Sequence, residues 1–389
     1  MPVIVGDLHI HIGRTDQGQP VKITASRKLS LRHIPQAAKE KGLGIVGIVD
    51  AACSGVLADL KRRAKAGELK LLTGGGYLWD DLYVFLGHEV ELVHTTGKEA
   101  HFLAFFPDLE SLERYGQALQ ESITNPSLST QRLRMSPDTW LQSVRANDGV
   151  ALAAHAFTPH KGVYGNCVHT LGEMFSHPDG ISGLELGLSA DTNMAMQVMD
   201  THSYAYIANS DAHSLDTIGR EFTTYDLPTV DFRSWAKALD QQGRGVVATH
   251  GLNPLLGKYY RSFCTRCGFL ARGDSALSVC PACNTPMVMG VWDRLRSISD
   301  FTGQAVLRPP YYSHVPLLML PGVGRRTYSR LVEGLGTEIE ILYTVSLEAI
   351  SRLVGDAIAR QIEALRRGEL VISPGGGGKY GRVTKAQYT

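Results

Sequence analysis

His9 and His11 follow the apolar stretch 3–8 (VIVGDL), and two histidines at this spacing are suited to metal chemistry. Residues two apart in a β-strand point to the same face, so the stretch predicts a buried strand that presents both imidazoles, with Asp7, on one side. Two imidazoles can hold a divalent ion, and a nearby carboxylate can orient a ring through its other nitrogen. A polar strand end would give the same pattern, so the prediction depends on finding further ligands.

Further segments carry histidine or acid beside apolar stretches. They contribute Asp50, Glu89, His101, His155, Asp211 and His213. These donors suit Zn²⁺ or Mn²⁺ better than Ca²⁺. A carboxylate such as Glu89 can bridge two ions, and two ions roughly 4 Å apart can activate water and stabilise the leaving oxygen of a phosphoester.

The elements that position these residues follow from periodicity. Short apolar strands alternate with helices over residues 1–250, which predicts parallel strands, right-handed crossovers and an irregular α/β barrel. Helices are predicted near 34–41, 56–66, 109–122, 137–147, 194–202 and 232–242, and the basic loop 14–30 follows the first strand. Strand ends share one face of such a barrel, so the candidates should converge there. His101 opens its strand, which predicts an antiparallel segment or a pairing with the strand of Glu89.

In this order, the candidates resemble the motifs of the polymerase and histidinol phosphatase (PHP) phosphoesterases. The matching positions are Asp7-x-His9-x-His11, Asp50, Gly87-x-Glu89, His101, His155 and Asp211-x-His213. The resemblance implies a distorted (β/α)7 barrel with two or three divalent ions (Zn²⁺, Mn²⁺ or Mg²⁺). It assigns one ion to the catalytic set His9, His11, Glu89 and Asp211, and a second to Glu89, His101 and His155.

One motif departs from that family. Val49-Asp50-Ala51 stands where the family has Thr-Asp-His. The missing histidine normally helps to hold a third ion, which puts in question the third site and the role of His213 in it. Asp50 is then either a ligand or a partner of the first histidine pair, and the second interpretation is preferred. The spacing to Gly87 favours Glu89 over its rivals, His88 and Glu91.

Composition limits the class of protein. The 389 residues are 43% hydrophobic and 20% charged, as in an ordinary globular chain of two or three domains. No apolar run approaches the roughly 20 residues of a membrane span, and no signal peptide is apparent, so we expect a cytoplasmic protein. Residues 1–250 carry 22 Lys and Arg against 28 Asp and Glu, whereas 251–389 carry 17 against 10. An acidic half beside a basic half fits a metal-binding domain beside a polyanion-binding one.

Four of the six cysteines form two Cys-x-x-Cys pairs separated by twelve residues. They are Cys264, Cys267, Cys280 and Cys283. This spacing predicts a tetrahedral zinc site with four thiolates, which is structural because it leaves no open position. The remaining Cys53 and Cys167 are predicted to be buried free thiols.

Leu320-Pro321-Gly322-Val323-Gly324 followed by Arg325 and Arg326 resembles a helix-hairpin-helix module, and 354–359 looks like a divergent second copy. Helices are predicted at 327–335, 347–352 and 356–368. Glycines of such a hairpin let backbone N–H groups approach a DNA phosphate without reading bases. The glycine-rich tail with Lys379 either approaches a backbone or is a flexible end, and the second alternative is favoured.

The whole arrangement resembles the endonuclease Q family, including the run from Gly251 to Tyr259. The implied domains are a PHP barrel at 1–250, a zinc-binding domain and linker at 251–313, a helix-hairpin-helix domain at 314–372 and a basic tail at 373–389. The implied activity is incision of DNA by metal-activated water on the 5′ side of deaminated bases (uracil, hypoxanthine, xanthine) and abasic sites. The alternatives are a PHP-type DNA exonuclease, a small-molecule phosphatase and a non-catalytic DNA-binding protein with a degenerate centre.

A deaminated base differs mainly on its pairing edge, so we expect it to be flipped out of the duplex. The loop after His155 offers rings and amides for a base pocket. Its candidate residues are Phe157, His160, Lys161, Tyr164 and Asn166. The expected partner is double- or single-stranded DNA with a damaged base. We expect a monomer, and the sequence does not indicate a replication clamp or repair partner.

Overall fold

The structure, a computed structural model, describes residues 3–273, 276–303 and 306–384, apart from the side chains of residues 241 and 242. The fold is mixed α/β, with a curled sheet, a four-cysteine module and a helical C-terminal region. The strands are β1 (Val3–Ile10), β2 (Ile45–Ile48), β3 (Leu69–Leu71), β4 (Tyr77–Trp79), β5 (Leu82–Val93), β6 (Glu99–Phe106), β7 (Gln131–Arg132), β8 (Val150–Ala153), β9 (Ile181–Glu185), β10 (Ala205–Ile207), β11 (Phe222–Asp226), β12 (Val246–Leu252), β13 (Tyr311–His314), β14 (Ile372–Ser373) and β15 (Arg382–Val383).

The main sheet follows the order β10-β9-β8-β6-β5-β2-β1-β11-β12-β13 and curls into a half-barrel, which is consistent with the distorted barrel predicted from the sequence. Its strands are not all parallel, which corrects the expectation from periodicity. The β1–β2–β5 and β8–β9–β10 sets are parallel, whereas β6 and β11 run antiparallel to both of their neighbours. The antiparallel pairing of His101 with the strand of Glu89 is as predicted, and it sets His101 opposite Glu91.

Helices cover the sheet and build the C-terminal region. They are α1 (Ile34–Lys41), α2 (Ser54–Lys65), α3 (Leu109–Ala118), α4 (Pro137–Ala146), α5 (Thr192–Ala195), α6 (Phe232–Gly243), α7 (Val291–Ser297), α8 (Arg325–Leu335), α9 (Glu338–Tyr343), α10 (Leu347–Val354) and α11 (Asp356–Arg366). Local chemistry sets their ends: Asp108 and Ser136 accept N–H bonds at the starts of α3 and α4, and Gly42 ends α1 at φ +89°. None of the described helices has both the length and the apolar character to cross a membrane.

The C-terminal helices share a core that also contains Leu252 and Leu256, just after the barrel, and Val383 near the end of the chain. Lys41 of the barrel forms an ion pair with Glu338 of α9, and both side chains are 4% exposed. Glu338 also accepts the N–H of Leu317 at 2.7 Å. The helical region is therefore held against the barrel by buried polar contacts.

The glycine-rich tail is docked rather than loose over the described residues, and 385–389 lie outside them. Strands β14 and β15 form a hairpin, and Gly375 and Gly381 donate N–H bonds to the carbonyls of Leu255 and Leu256. A Cβ on Gly375 would lie 2.5 Å from the carbonyl oxygen of Gly257. These glycines allow the tail to pack closely on the backbone of residues 255–257. The flexible end that the sequence favoured is therefore wrong for the described part of the tail.

A histidine buried beside α9 predicts acid sensitivity. His314 is 1% exposed, its Nδ1 lies 2.8 Å from the Tyr343 hydroxyl, and burial lowers its pKa from 6.5 to about 3. Between these values the unfolded chain binds a proton that the folded chain does not, so stability is complete above about pH 6.5 and falls with falling pH. At pH 5 the protonation of this histidine in the unfolded chain should lower the free energy of unfolding by about 2 kcal/mol. Urea unfolding at pH 7.5 and pH 5.0 gives the change in the free energy of unfolding between the two conditions. This change should be smaller for His314→Phe than for wild type, and an equal change would contradict the prediction.

Candidate metal centre

The first cluster of donors joins the two ends of the barrel sequence. His9 and His11, at the end of β1, are fully buried, and their Nε2 atoms lie 3.3 Å apart. Asp211 follows β10, and its Oδ1 lies 3.4 Å from both Nε2 atoms. Three donors at such distances, from segments about 200 residues apart, form a group that can hold one divalent ion.

Glu89, His101 and His155 form a second cluster next to the first. Glu89 Oε1 lies 3.5 Å from His155 Nε2 and also 3.5 Å from His9 Nε2, so this carboxylate lies between the two groups. His101 Nδ1 is 3.1 Å from the same oxygen but has no hydrogen-bond partner. Two metal-ligating atoms that lie this close without a hydrogen bond between them fit ligands of a shared ion. The residues present therefore suit a divalent cation.

Electrostatics keep the central carboxylate charged. Burial alone would raise the pKa of Glu89, but Lys22, His101 and His11 outweigh it and hold the pKa well below its usual range. Backbone strain also marks this region, because His155 and Asp211 have φ of +29° and +46°. Such conformations cost free energy and often occur at functional sites.

Carboxylates behind the first cluster orient its rings. Glu185, at the end of β9, lies 3.0 Å from His9 Nδ1, and Asp50 lies 3.2 Å from His11 Nδ1. A carboxylate on Nδ1 leaves Nε2 unprotonated and directed at an ion. Asp50 thus has the position of a ring partner, the interpretation preferred from the sequence, and lies outside both donor clusters.

Other candidates lie at the margin of the centre. His213 faces His11 with ring centroids 4.7 Å apart, but its Nδ1 is 2.9 Å from the Asp211 carbonyl oxygen, and it belongs to neither cluster. Burial lowers its pKa to about 4. Asp7 is a structural anchor, since its carboxylate accepts the N–H groups of Ser210 and Gly219 at 3.0 and 2.8 Å.

The rivals of Glu89 on β5 have other partners. Glu91 is bound by Arg132 and Lys161 at 2.6 Å each. Burial opposes its charge, but hydrogen bonds from His101, Lys161 and Arg132 lower its pKa to about 2. His88 is buried with its ring edge-on to Tyr115, and burial lowers its pKa to about 4.

Sequence reasoning missed three contributors to the centre. Glu185 is the last residue of β9, and its carboxylate was not among the candidate site residues. Lys22 was part of a basic loop, yet its Nζ lies 3.1 Å from Glu89 Oε2. Ser129 donates to Asp50 from a segment with no predicted element. Only the strand-end position of Glu185 offered a usable signal.

Glu185→Gln should reduce metal-dependent cleavage because the amide is a weaker partner for His9 Nδ1. The expected loss is on the order of 10- to 100-fold in rate or metal affinity. A cleavage assay with titrated Mn²⁺ measures both quantities. Full activity at limiting Mn²⁺ would contradict an orienting role for this side chain.

The four cysteines predicted to bind zinc form a compact group. Sγ atoms of Cys264 and Cys283 lie 3.4 Å apart, and those of Cys267 and Cys280 lie 3.5 Å apart. Disulfides are excluded at these distances. Thiolates about 2.3 Å from one tetrahedral zinc ion would be about 3.8 Å apart, close to what is observed. The cluster therefore fits zinc, and the two other cysteines are buried free thiols as predicted.

A cavity of about 530 Å³ opens beside the first cluster. Its walls include His155, Asp211 and His213 from the centre, Lys258 and Tyr259 from the run after the barrel, and Tyr380 from the tail, together with Thr24, Thr158, His160, Glu185, Gly187, Leu188, Ser189, Asn209, Ser214, Thr217 and Arg220. A larger groove of about 800 Å³ lies between α5 and the segment 306–313, but none of the clustered donors lines it.

Of the five residues predicted to form a base pocket, only His160 lines this cavity. Phe157 and Tyr164 pack in the hydrophobic core at 1% and 0% exposure, with the Tyr164 hydroxyl bonded to Asp200 at 2.6 Å. Lys161 is paired with Glu91, and Asn166 is only half-buried away from the cavity. The predicted stacking of a base on Phe157 or Tyr164 is therefore wrong. Both rings are buried because they pack in the hydrophobic core, and neither lines the cavity.

Comparison with known proteins gives matches over nearly the whole chain. The family model described as PHP-associated matches residues 191–241. Uncharacterized protein YqxK of Bacillus subtilis (strain 168) is 38% identical over 388 residues, with 98% of this chain and 100% of that protein covered. The crystal structure of the lesion-specific endonuclease PfuEndoQ from Pyrococcus furiosus has a TM-score of 0.84 at 30% identity, covering 99% of this chain and 96% of that one. Endonuclease Q in complex with a 27-mer duplex that carries an abasic lesion at the active site has a TM-score of 0.85 at 29% identity, covering 99% and 97%.

The curled sheet and its two adjacent donor clusters have the architecture of a PHP-type domain with a site suited to divalent ions. The matches extend beyond the barrel through the cysteine module and the helical region. The chain belongs to the endonuclease Q family, and it is a metal-dependent endonuclease.

Proposed function

We propose that this protein is a DNA repair enzyme that cuts the phosphodiester bond on the 5′ side of deaminated bases (uracil, hypoxanthine, xanthine) and abasic sites. The observation that carries the proposal is the likeness to endonuclease Q over 99% of the chain. One of these relatives was crystallised with an abasic lesion at its active site, which supports damaged DNA as the substrate here. We further propose that the protein acts as a cytoplasmic monomer.

The proposed ligands are His9, His11 and Asp211 for one ion and His101 and His155 for a second, with Glu89 between them. Their support is geometric, because the donors of each cluster lie within 4.8 Å of one another. Bound divalent ions would activate water and stabilise negative charge on the phosphate. Glu185 and Asp50 would keep the Nε2 atoms of His9 and His11 free of protons, as their positions on Nδ1 favour.

The helical region at 314–372 is proposed to bind the DNA backbone. Gly322 has φ +87°, Gly324 caps the start of α8, and a Cβ on either would meet nothing within 4 Å. In the first turn of α8, Arg325 is paired with Asp216 of the barrel, whereas Arg326 is exposed beside the N–H groups of the helix start and would meet a phosphate there. Lys379 is exposed in the tail hairpin and would add a further phosphate contact.

The cavity beside the first cluster is proposed to receive the damaged nucleotide. Its walls provide hydroxyl, amide and guanidinium groups that can meet the edge of a base or its sugar. Arg220 donates to the Tyr380 hydroxyl at 2.7 Å, and Lys258 lies over the Tyr380 ring at 4.6 Å. The tail thereby supplies one wall of the cavity. Its close packing on residues 255–258 would hold Tyr380 in that wall.

The test is a nicking assay on an end-labelled duplex with one deoxyuridine, run with Mg²⁺, Mn²⁺ or Zn²⁺. An undamaged duplex and His9→Ala are the controls, and duplexes with hypoxanthine, xanthine or an abasic site follow. A single nick directly 5′ of the lesion, absent from both controls, is the expected result. A ladder on both duplexes would instead indicate an exonuclease, cleavage of an aryl phosphate alone a phosphatase, and binding without cleavage a degenerate centre.

A further inference from the structure

One basic side chain lies inside the metal centre. Lys22, on the loop after β1, is 14% exposed, and its Nζ lies 3.1 Å from Glu89 Oε2 and 2.5 Å from Thr130 Oγ1. The loop is fixed by backbone bonds, since Lys22 donates to the Ile12 carbonyl at 2.9 Å and Val21 to that of Gly13 at 3.0 Å. The ammonium therefore has a defined position.

The two oxygens of Glu89 have different surroundings. Oε1 faces the imidazoles of His9, His101 and His155, the donors that it would join around an ion. Oε2 accepts hydrogen bonds from Lys22 and Thr130 and also lies 3.4 Å from His11 Nε2. The lysine and the threonine thus fix one oxygen of the carboxylate beside the first cluster, while the other oxygen faces donors of both clusters.

The same region does not fit a third divalent ion. Ala51 is fully buried where the resemblance implies a histidine ligand, and Asp50 is bonded to His11 and to the Ile12 N–H. Apart from the cysteine group, the described residues form only the two clusters above. The group at this place is the ammonium of Lys22, which lies against the Glu89 carboxylate.

We propose that the Lys22 ammonium takes the place of a third divalent ion in this centre. It positions Glu89 through Oε2 and directs positive charge toward the phosphate that is cut. An ammonium has three N–H donors, and Glu89 and Thr130 are its recorded partners among the described residues, which leaves one donor for a phosphate oxygen. The inference rests on the proposed function for the identity of that phosphate.

The experiment compares wild type with Lys22→Gln, Lys22→Arg and Lys28→Gln, the last an exposed lysine of the same loop. Metal content is measured by elemental analysis after dialysis against Mn²⁺, and Mn²⁺ affinity by calorimetry. Single-turnover nicking of the deoxyuridine duplex gives the rate. We expect wild type to hold two ions besides the cysteine-bound zinc.

Lys22→Gln should bind Mn²⁺ at least as tightly as wild type, because a competing cation is gone, while its nicking rate falls on the order of 10²-fold. Lys22→Arg should recover part of the rate because it retains the charge, and Lys28→Gln should match wild type. A role limited to folding would lower metal binding and rate together. Unchanged or increased Mn²⁺ affinity together with a reduced nicking rate is therefore the signature of the proposed role.

Three results would overturn the inference: a third ion in the wild-type centre, an unchanged rate in Lys22→Gln, or a parallel loss of ions and rate in that variant. The ion count and the Mn²⁺ affinity need no DNA. A wild-type protein that holds two ions but leaves every damaged duplex intact would therefore count against the proposed function, whereas a third ion in the wild-type centre would count against the role of Lys22 alone.

Discussion

Glu89→Gln is expected to reduce nicking of a deoxyuridine duplex by at least ~10³-fold. The amide has nearly the same shape, but it loses the negative charge that lies 3.5 Å or less from histidines of both clusters. Both ions would lose a ligand and the compensation of their charge. Elemental analysis of the variant should show fewer bound ions, and single-turnover gels should show the loss of rate.

Glu91→Gln is the matched comparison, because it lies two residues further along the same strand and is also buried. Its carboxylate binds Arg132 and Lys161, and it reaches His101 Nε2 only at 3.6 Å. Because Glu91 orients a ligand and does not itself bind an ion, Glu91→Gln should lower the nicking rate by no more than ~100-fold. Equal losses in the two variants would contradict the assignment of Glu89 as the shared ligand.

Loss of the zinc ion that the four cysteines are suited to bind is expected to unfold the module around residues 262–290. Apparent binding energies of structural zinc are about 10–16 kcal/mol, far more than a ribbon of this size gains from its own core. The tail packs on this module, since Gly376 pairs with Arg261 and lies against Leu270. Cys280→Ser should therefore lower both the thermal midpoint and the nicking rate, by way of the Tyr380 wall.

Hydrogen exchange locates the effect. Backbone amides of Cys264 and Val288, which are bonded within the module, should lose protection in Cys280→Ser, while those of β5 in the barrel keep it. Cys167→Ser, a buried free thiol elsewhere, should retain the zinc and the protection. Retained protection of the module in Cys280→Ser would refute the structural role of the metal.

The fold was predictable where local signals are strong. Helix α1 has the bounds that Pro35 and Gly42 indicate, and the alternation of short strands and helices gave the class of barrel. Strand direction was less accessible, because β12 reads like the parallel strands before it and β11 was not predicted. Their antiparallel pairing depends on contacts between β1 and residues 223–226, which no local pattern encodes. Helices α7 and α9 are short and were missed for the same reason.

The ligand candidates were accessible because metal donors at strand ends are chemically distinctive. The side chains that orient or balance them were not, since Lys22 and Ser129 lie in loops whose approach to Glu89 and Asp50 is a long-range event. Phe157 and Tyr164 show the opposite error. Rings next to a ligand suggest stacking in a sequence, yet the same rings fill a core once the chain is closed.

Contacts between β1 and the segment that follows β10 determine when the metal centre can assemble during synthesis. Asp7 binds the N–H of Ser210 across 203 residues of chain, and the His9 carbonyl accepts the N–H of Ala212. At about 5–20 residues per second, tens of seconds separate the emergence of the first histidines from that of Asp211. The wall formed by Tyr380 arrives later still, 169 residues after Asp211. A ribosome-bound chain therefore carries its metal ligands apart from one another until the segment that contains Asp211 has emerged.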